Sequence, residues 1–106
     1  MKTWRQARSQ DLHIYAAIAV IFRNHPTLLE FFFETETPRI RFRGIEMRRR
    51  AAGMSSGEQQ LLRVALDVWS GSGNAKVWQL IETLDDSNFA NVLEALAFLR
   101  SGRPAN

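Results

Sequence analysis

Between Leu12 and Phe22 the apolar positions Leu12, Tyr15, Ile18, Ala19 and Phe22 fall three and four residues apart, the spacing of one helix face. Ser9 precedes them as a capping residue, and Asp11 sits where a carboxylate meets the positive end of the helix dipole. Ile14, Ala17, Val20 and Ile21 make the opposite side apolar too, so the pattern predicts a helix central in the domain, ended by Pro26. LLEFFFE at Leu28 to Glu34 is short enough for periodicity to fit a helical turn or a strand, and is read as a helix. After a turn over Thr35 to Pro38, the residues Arg39, Ile40, Arg41, Phe42 and Arg43 alternate charged and apolar, which predicts a short strand. Gly44 breaks that alternation, and Ile45 to Ala52 is predicted as a short helix ended by Gly53.

The second half is more regular. Ser55 with Glu58, and Ser56 with Gln59, each have capping-box spacing before Leu62, Ala65, Leu66 and Trp69, a stripe widened by Leu61, Val64 and Val68. Ser70-Gly71-Ser72-Gly73 ends that helix. Asn74 is placed to cap a shorter one through Val77, Leu80, Ile81 and Leu84. Asp85-Asp86-Ser87-Asn88 offers caps for a last helix through Phe89, Val92, Leu93, Leu96 and Leu99, closed by Gly102 and Pro104. The expected fold is mostly α: a compact bundle of about four to five helices with at most one short β-hairpin. It forms one domain over residues 1–106, with frayed ends at 1–8 and 102–106.

Composition narrows the chemistry. With no cysteine there is no disulfide and no thiolate nucleophile or metal ligand, so stability rests on packing. The apolar run Ile14 to Phe22 is too short to span a bilayer, which takes ~20 residues. Arg23-Asn24-His25-Pro26 stands where a signal peptide would place small residues, so a cytoplasmic protein with no membrane partner is expected. The net charge of +3 conceals an asymmetry: residues 1–50 carry ten basic and five acidic side chains, net +5, while residues 51–106 carry four and six, net −2. Such polarity favours association of the basic half with a polyanion or an acidic protein surface.

Three local patterns bear on chemistry. Met54 to Leu66, MSSGEQQLLRVAL, resembles over about a dozen residues the signature segment of ATP-binding-cassette ATPases, which meets a nucleotide phosphate. That family also requires a phosphate loop, and Gly71 to Val77 lacks both the glycine before Lys76 and the hydroxyl after it, so a capped amphipathic helix accounts for the segment and no cofactor is expected. Lys76 to Arg100 has helix-turn-helix proportions, yet Asp85 and Asp86 occupy the end that would face phosphates. An ordinary helical hairpin fits better, although Asn88 and Asn91 are residue types suited to reading adenine. His13 and His25 lie twelve residues apart, a spacing that matches no metal site, and the chain is expected not to be an enzyme. The low-ranking alternative is a ribonuclease-like set of His25, Glu34, Glu36 and arginines.

The outstanding feature is RIRFRGIEMRRR at Arg39 to Arg50, with six arginines, one glutamate and no lysine. Guanidinium is suited to bidentate contact with phosphate or carboxylate, and strand geometry would put Arg39, Arg41 and Arg43 on one face with Arg48, Arg49 and Arg50 beyond the break. The bland alternative is a solvated face neutralised by Glu34, Glu36 and Glu46. The expected function is a small non-enzymatic binding or regulatory protein, a monomer or homodimer, whose Arg39–Arg50 face engages nucleic acid or a nucleoprotein complex. The alternative is an inhibitor acting on an acidic protein surface. In size and charge that alternative is similar to small phage and mobile-element proteins, including anti-CRISPR inhibitors, without a shared motif. The run Phe31-Phe32-Phe33 with Phe42 adds a possible stacking platform for bases, whereas Trp69 and Trp78 are assigned to the core.

Overall fold

A computed structural model describes residues 9–34 and 39–101, and the expectation of frayed ends at 1–8 and 102–106 falls outside them. Six helices occur among the described residues: α1 (Ser9–Ile21), α2 (Pro26–Phe32), α3 (Gly44–Arg50), α4 (Ser56–Ser70), α5 (Val77–Thr83) and α6 (Asp86–Ser101). The mostly helical class is as expected, but the count exceeds four to five. The surplus comes from α2, α3 and α5, each seven residues long. Helices of two turns do not stand alone in water, and here packing against the longer α4 holds them.

The core is built on α4, whose Leu61, Leu62, Val64, Ala65 and Leu66 are buried. Of the two capping boxes open to it the chain uses Ser55: its hydroxyl accepts from Glu58 N at 3.2 Å, and Ser55 N donates to the Glu58 carboxylate at 3.1 Å. The backbone contact to Ser55 holds the Glu58 carboxyl below its usual range. Gln59 instead donates to the carbonyls of Ala52 and Met54, tying the incoming turn to the helix. At the far end Gly71 takes the left-handed conformation, φ 71°, that a side chain would resist. α1 lies against both long partners, most extensively α6 and then α4, and buries Ala17, Ile18 and Ile21, with Phe22 buried just after it.

Pro26 does more than end α1. It occupies the first turn of α2, where its missing N–H costs nothing. α5 departs from expectation at its start: Lys76 precedes it without a side-chain cap, and Asn74 takes a left-handed φ of 52°. Asp67 of α4 supplies the satisfaction instead, accepting from Gly73 N at 2.8 Å, Asn74 N at 3.0 Å and Ala75 N at 2.9 Å. That loop lies so close to α4 that a Cβ on Gly73 would fall 1.8 Å from the Arg63 carbonyl oxygen.

One assignment to the core needs correction. Trp78 is 66% exposed, because only Leu80 and Leu84 of this segment reach the core and Trp78 lies about 200° around the helix axis from Leu80. In α6 the inward face is Asn88, Asn91, Val92 and Ala95, with Phe89 and Leu99 partly buried, while Leu93 and Leu96 remain exposed. The small Ala95 lets α6 approach α1, and the two asparagines have polar partners on the α1–α2 corner.

Two stability outcomes follow from α4 and its loop. Ser55→Ala should cost about 0.5–2 kcal/mol by removing the cap. Gly73→Ala should cost at least about 2 kcal/mol by forcing backbone apart, while Gly53→Ala, with nothing within 4 Å of its added methyl, should be close to neutral. Urea denaturation of the three variants checks the order, and a neutral Gly73→Ala would refute the loop geometry.

Candidate nucleic-acid interface

The arginine segment is attached to the core through the end of α2. Phe33 leaves the helix in an extended conformation, φ −106° and ψ 148°, and forms an isolated antiparallel bridge with Ile40. Glu34 N donates to Arg39 O and Arg41 N donates to Phe32 O, both at 2.9 Å. Among the described residues no strand extends beyond this bridge, so the expected strand over Arg39 to Arg43 is corrected to a bent segment joined to Phe33 at the one residue Ile40. Its alternation still sorts the side chains: Ile40 and Phe42 are half-buried against the core, and Arg39, Arg41 and Arg43 are exposed. Gly44 then opens α3 where the chain passes Ser72 too closely for a Cβ, which would stand 2.6 Å from its Oγ.

The aromatic run is spent on packing. Phe32 and Phe33 are buried, and Phe31 stacks tilted on Phe42 with centroids 5.9 Å apart. Phe33 also lies between Tyr15, at 5.0 Å, and Trp69, at 5.2 Å, which it meets edge to face. Besides the half-buried Phe31 and Phe42, the rings with access to solvent beside the arginines are Trp69 and Tyr15, both half-buried too. Sequence reasoning missed them, since tryptophan and tyrosine at core spacing on α4 and α1 carry no mark of the neighbour that leaves them partly open.

Two surface hollows flank this segment. One, of about 410 Å³, is bounded by Arg39, Arg41 and Arg43 with Ile40, Phe42 and Trp69, and Glu34 stands at its edge. The other, of about 460 Å³, is bounded by Tyr15, Leu29, Phe33 and Glu30, with Pro26 at its end. Glu34 and Arg41 border both, forming the divide between them. Arg41 is fixed there by its Nε, which donates to the Glu30 carbonyl at 2.7 Å.

The six arginines thus part company. Arg39, Arg41 and Arg43 surround the first hollow; Arg39 and Arg41 are engaged within the chain, and Arg43 has no hydrogen-bond or ion-pair partner among the described residues. Arg50 does not line the hollow but has its guanidinium carbon 4.2 Å from the centroid of the Phe42 ring, which does. Arg49 and Arg50 both donate to Glu46, each Nε at 3.0 Å, and the hydrogen bonds from Arg49 above all hold the Glu46 carboxyl below its usual range. Arg48 turns inward to a narrow cleft beside Gln59 and Arg63, where its Nε is sealed without a hydrogen-bond partner among the described residues. Glutamate neutralisation, the bland expectation, therefore holds at the α3 end through Glu46, while Glu36 lies outside the described residues.

Other candidate groups are dispersed. His25 and Glu34 flank opposite ends of α2, separated by roughly 10 Å of helical rise. His25 instead faces the Asn88 amide at 3.3 Å. Asn88 and Asn91 are buried, at 7% and 5% exposure, which removes them from any surface that could read bases. His13 packs on Phe98 with centroids 4.3 Å apart, and no cluster of three metal-ligating side chains occurs among the described residues. No described helix is long and apolar enough to cross a membrane. No family model, curated protein or solved structure matches the chain, so its chemistry is read from this geometry alone.

Glu46 gives a pH outcome. A carboxyl depressed in the folded state contributes stability above its unfolded pKa, ~4.3, and that contribution is lost as pH falls through the lower folded value. The Glu46 side-chain carboxyl should therefore titrate below ~4.3 by carbon-detected NMR. Arg49→Ala should raise its midpoint more than Arg50→Ala, and equal shifts would contradict the leading role of Arg49.

Proposed function

We propose that this protein is a non-enzymatic nucleic-acid-binding protein whose basic face is centred on the hollow bounded by Arg39, Arg41 and Arg43. The observation that carries this reading is the convergence of three exposed arginines on one open concave surface that also holds an indole. Fixed guanidinium groups favour phosphate oxygens because several N–H donors meet the anion in a planar fork. Arg41, anchored through Nε to a backbone carbonyl, has less side-chain entropy to lose on binding than a free arginine. Glu34 opposes phosphate at the same place and holds the affinity below what the arginines alone would give.

The principal rival partner is an acidic protein surface, as an inhibitor or adaptor would meet. One observation favours it: Val77 and Trp78 of α5 are 71% and 66% exposed, an apolar presentation that suits a protein better than a polyanion. Pull-down from lysate with and without nuclease separates the two, since a protein partner survives the treatment and a nucleic-acid bridge does not.

Backbone neutralisation fixes the expected binding behaviour. With three or four phosphates contacted, log K should fall against log salt with a slope of about −2 to −3 on single strands. Arg43→Ala should reduce that slope by about 0.7, and Glu34→Gln should tighten binding. Fluorescence anisotropy with labelled oligonucleotides at two salt concentrations measures all three, and absence of binding at low salt would end the proposal.

A further inference from the structure

Arg48 and Arg63 both line the cleft between α3 and α4, which shares no lining residue with the hollow of Arg39, Arg41 and Arg43. Its other walls are Gln59 and the buried Ala51 and Leu62, and no carboxylate borders it. Among the described residues neither arginine is in an ion pair. Glu46, the one acid on α3, is engaged by Arg49 and Arg50, and the hydrogen bond at Arg63 runs from Nη1 to the Gly73 carbonyl at 3.1 Å. Arg48 Nε is sealed from solvent with no acceptor among the described residues. Gln59 does not supply one, its side chain being held by the Ala52 and Met54 carbonyls. A guanidinium keeps its charge at any ordinary pH, so it cannot escape burial by losing a proton. A donor shut away from water without an acceptor opposes folding, and so do two like charges set in one cleft. A water molecule would answer only the first of these; an anion answers both. Size then selects the anion: the cleft holds about 20 Å³, room for one atom-sized guest and too little for a phosphate or a carboxylate.

We propose that this cleft is a binding site for a single monatomic anion, chloride, which accepts from Arg48 Nε and offsets the charge of Arg63. The seven-residue α3 is held by its packing on α4, so an ion that joins an arginine of one helix to an arginine of the other stabilises the helix that follows the arginine segment. The site is separate from the proposed polyanion face. Chloride draws on Arg48 and Arg63 and acts on the fold, whereas a nucleic-acid phosphate is too large for the cleft and meets the arginines of the hollow.

The test uses the full chain at fixed pH and ionic strength, with sodium gluconate, whose anion is too large for the cleft, replaced stepwise by sodium chloride. Thermal unfolding followed by circular dichroism should show Tm rising with the logarithm of chloride concentration, by about 5 °C once chloride stands about tenfold above its dissociation constant. Chlorine NMR should show a line broadened by the protein. Arg48→Met and Arg63→Met, which keep an apolar stem and remove the charge, should each abolish the broadening and the chloride dependence of Tm, while Arg43→Met should leave both in place. Equal Tm in the two salts with no broadening means that the cleft holds water alone, and overturns the proposal. A chloride effect that survives both Arg48→Met and Arg63→Met overturns it as well, since the ion then binds elsewhere. Protection by sodium sulfate equal to that by chloride refutes selection by size. The salt comparison needs no substitution, and either variant locates the site if the other folds poorly.

Discussion

Two backbone hydrogen bonds, Arg41 N to Phe32 O and Glu34 N to Arg39 O, hold the arginine segment across the end of α2, and most of what is distinctive in this surface depends on them. They fix the side-chain alternation of residues 39–43 relative to the core. A one-residue slip would turn Ile40 and Phe42 outward and three guanidinium groups inward, at a desolvation cost that the segment could not bear. Ile40 and Phe42 secure the register from below, and Phe42 gains a second partner in the Arg50 guanidinium above it. A single bridge is enough because the apolar side chains, rather than a ladder of hydrogen bonds, do most of the anchoring.

Crowding six like charges costs free energy unless something offsets it, and the fold disposes of them unequally. Glu46, three and four residues before Arg49 and Arg50, answers two of them within α3 at helical spacing. These pairs are exposed and lend the fold little, but they reduce the repulsion that would otherwise fray a seven-residue helix. Arg41 leans on a carbonyl, and Arg48 is drawn between α3 and α4. What remains most open to an outside anion is Arg43, with Arg39 and Arg41 beside it around the hollow. The concentration of charge along the chain thus becomes a smaller and better defined patch in space.

A separate polar network sets where α2 begins, and hence where the patch lies. Arg23 donates to Glu94 at 2.6 Å and to Asn91 at 3.1 Å, Asn24 reaches Ser87 at 2.8 Å, and His25 faces Asn88. Glu94 is held below its usual carboxyl range chiefly by the Arg23 hydrogen bonds. Consecutive residues at one corner are thereby tied to successive turns of α6, which explains why that helix turns two asparagines inward in place of Leu93 and Leu96. Most of these polar groups are paired, with Asn91 Nδ2 buried without a hydrogen-bond partner among the described residues, and the pairing fixes the angle at which the chain enters α2.

The helical class, the central place of α1, the box at Ser55 and Glu58, and the inward side chains of α4 were legible in the sequence. Each is a local matter, set by periodicity, by spacing, or by a hydroxyl within reach of its own backbone. So was the alternation in Arg39 to Arg43, though not that it would stop at one bridge. The burial of Asn88 and Asn91, the exposure of Trp78, the substitution of Asp67 for Asn74 as the satisfier of the α5 loop, and the meeting of Trp69 with three arginines were decided only in three dimensions. Each depends on which distant residue arrives alongside: Arg23 and His25 for the asparagines, a close-packed loop for Asp67, and Phe33 for Trp69. Local pattern records the need of a side chain for a partner; only the packing of the whole chain decides which partner it gets, and which side chains are left to face something else.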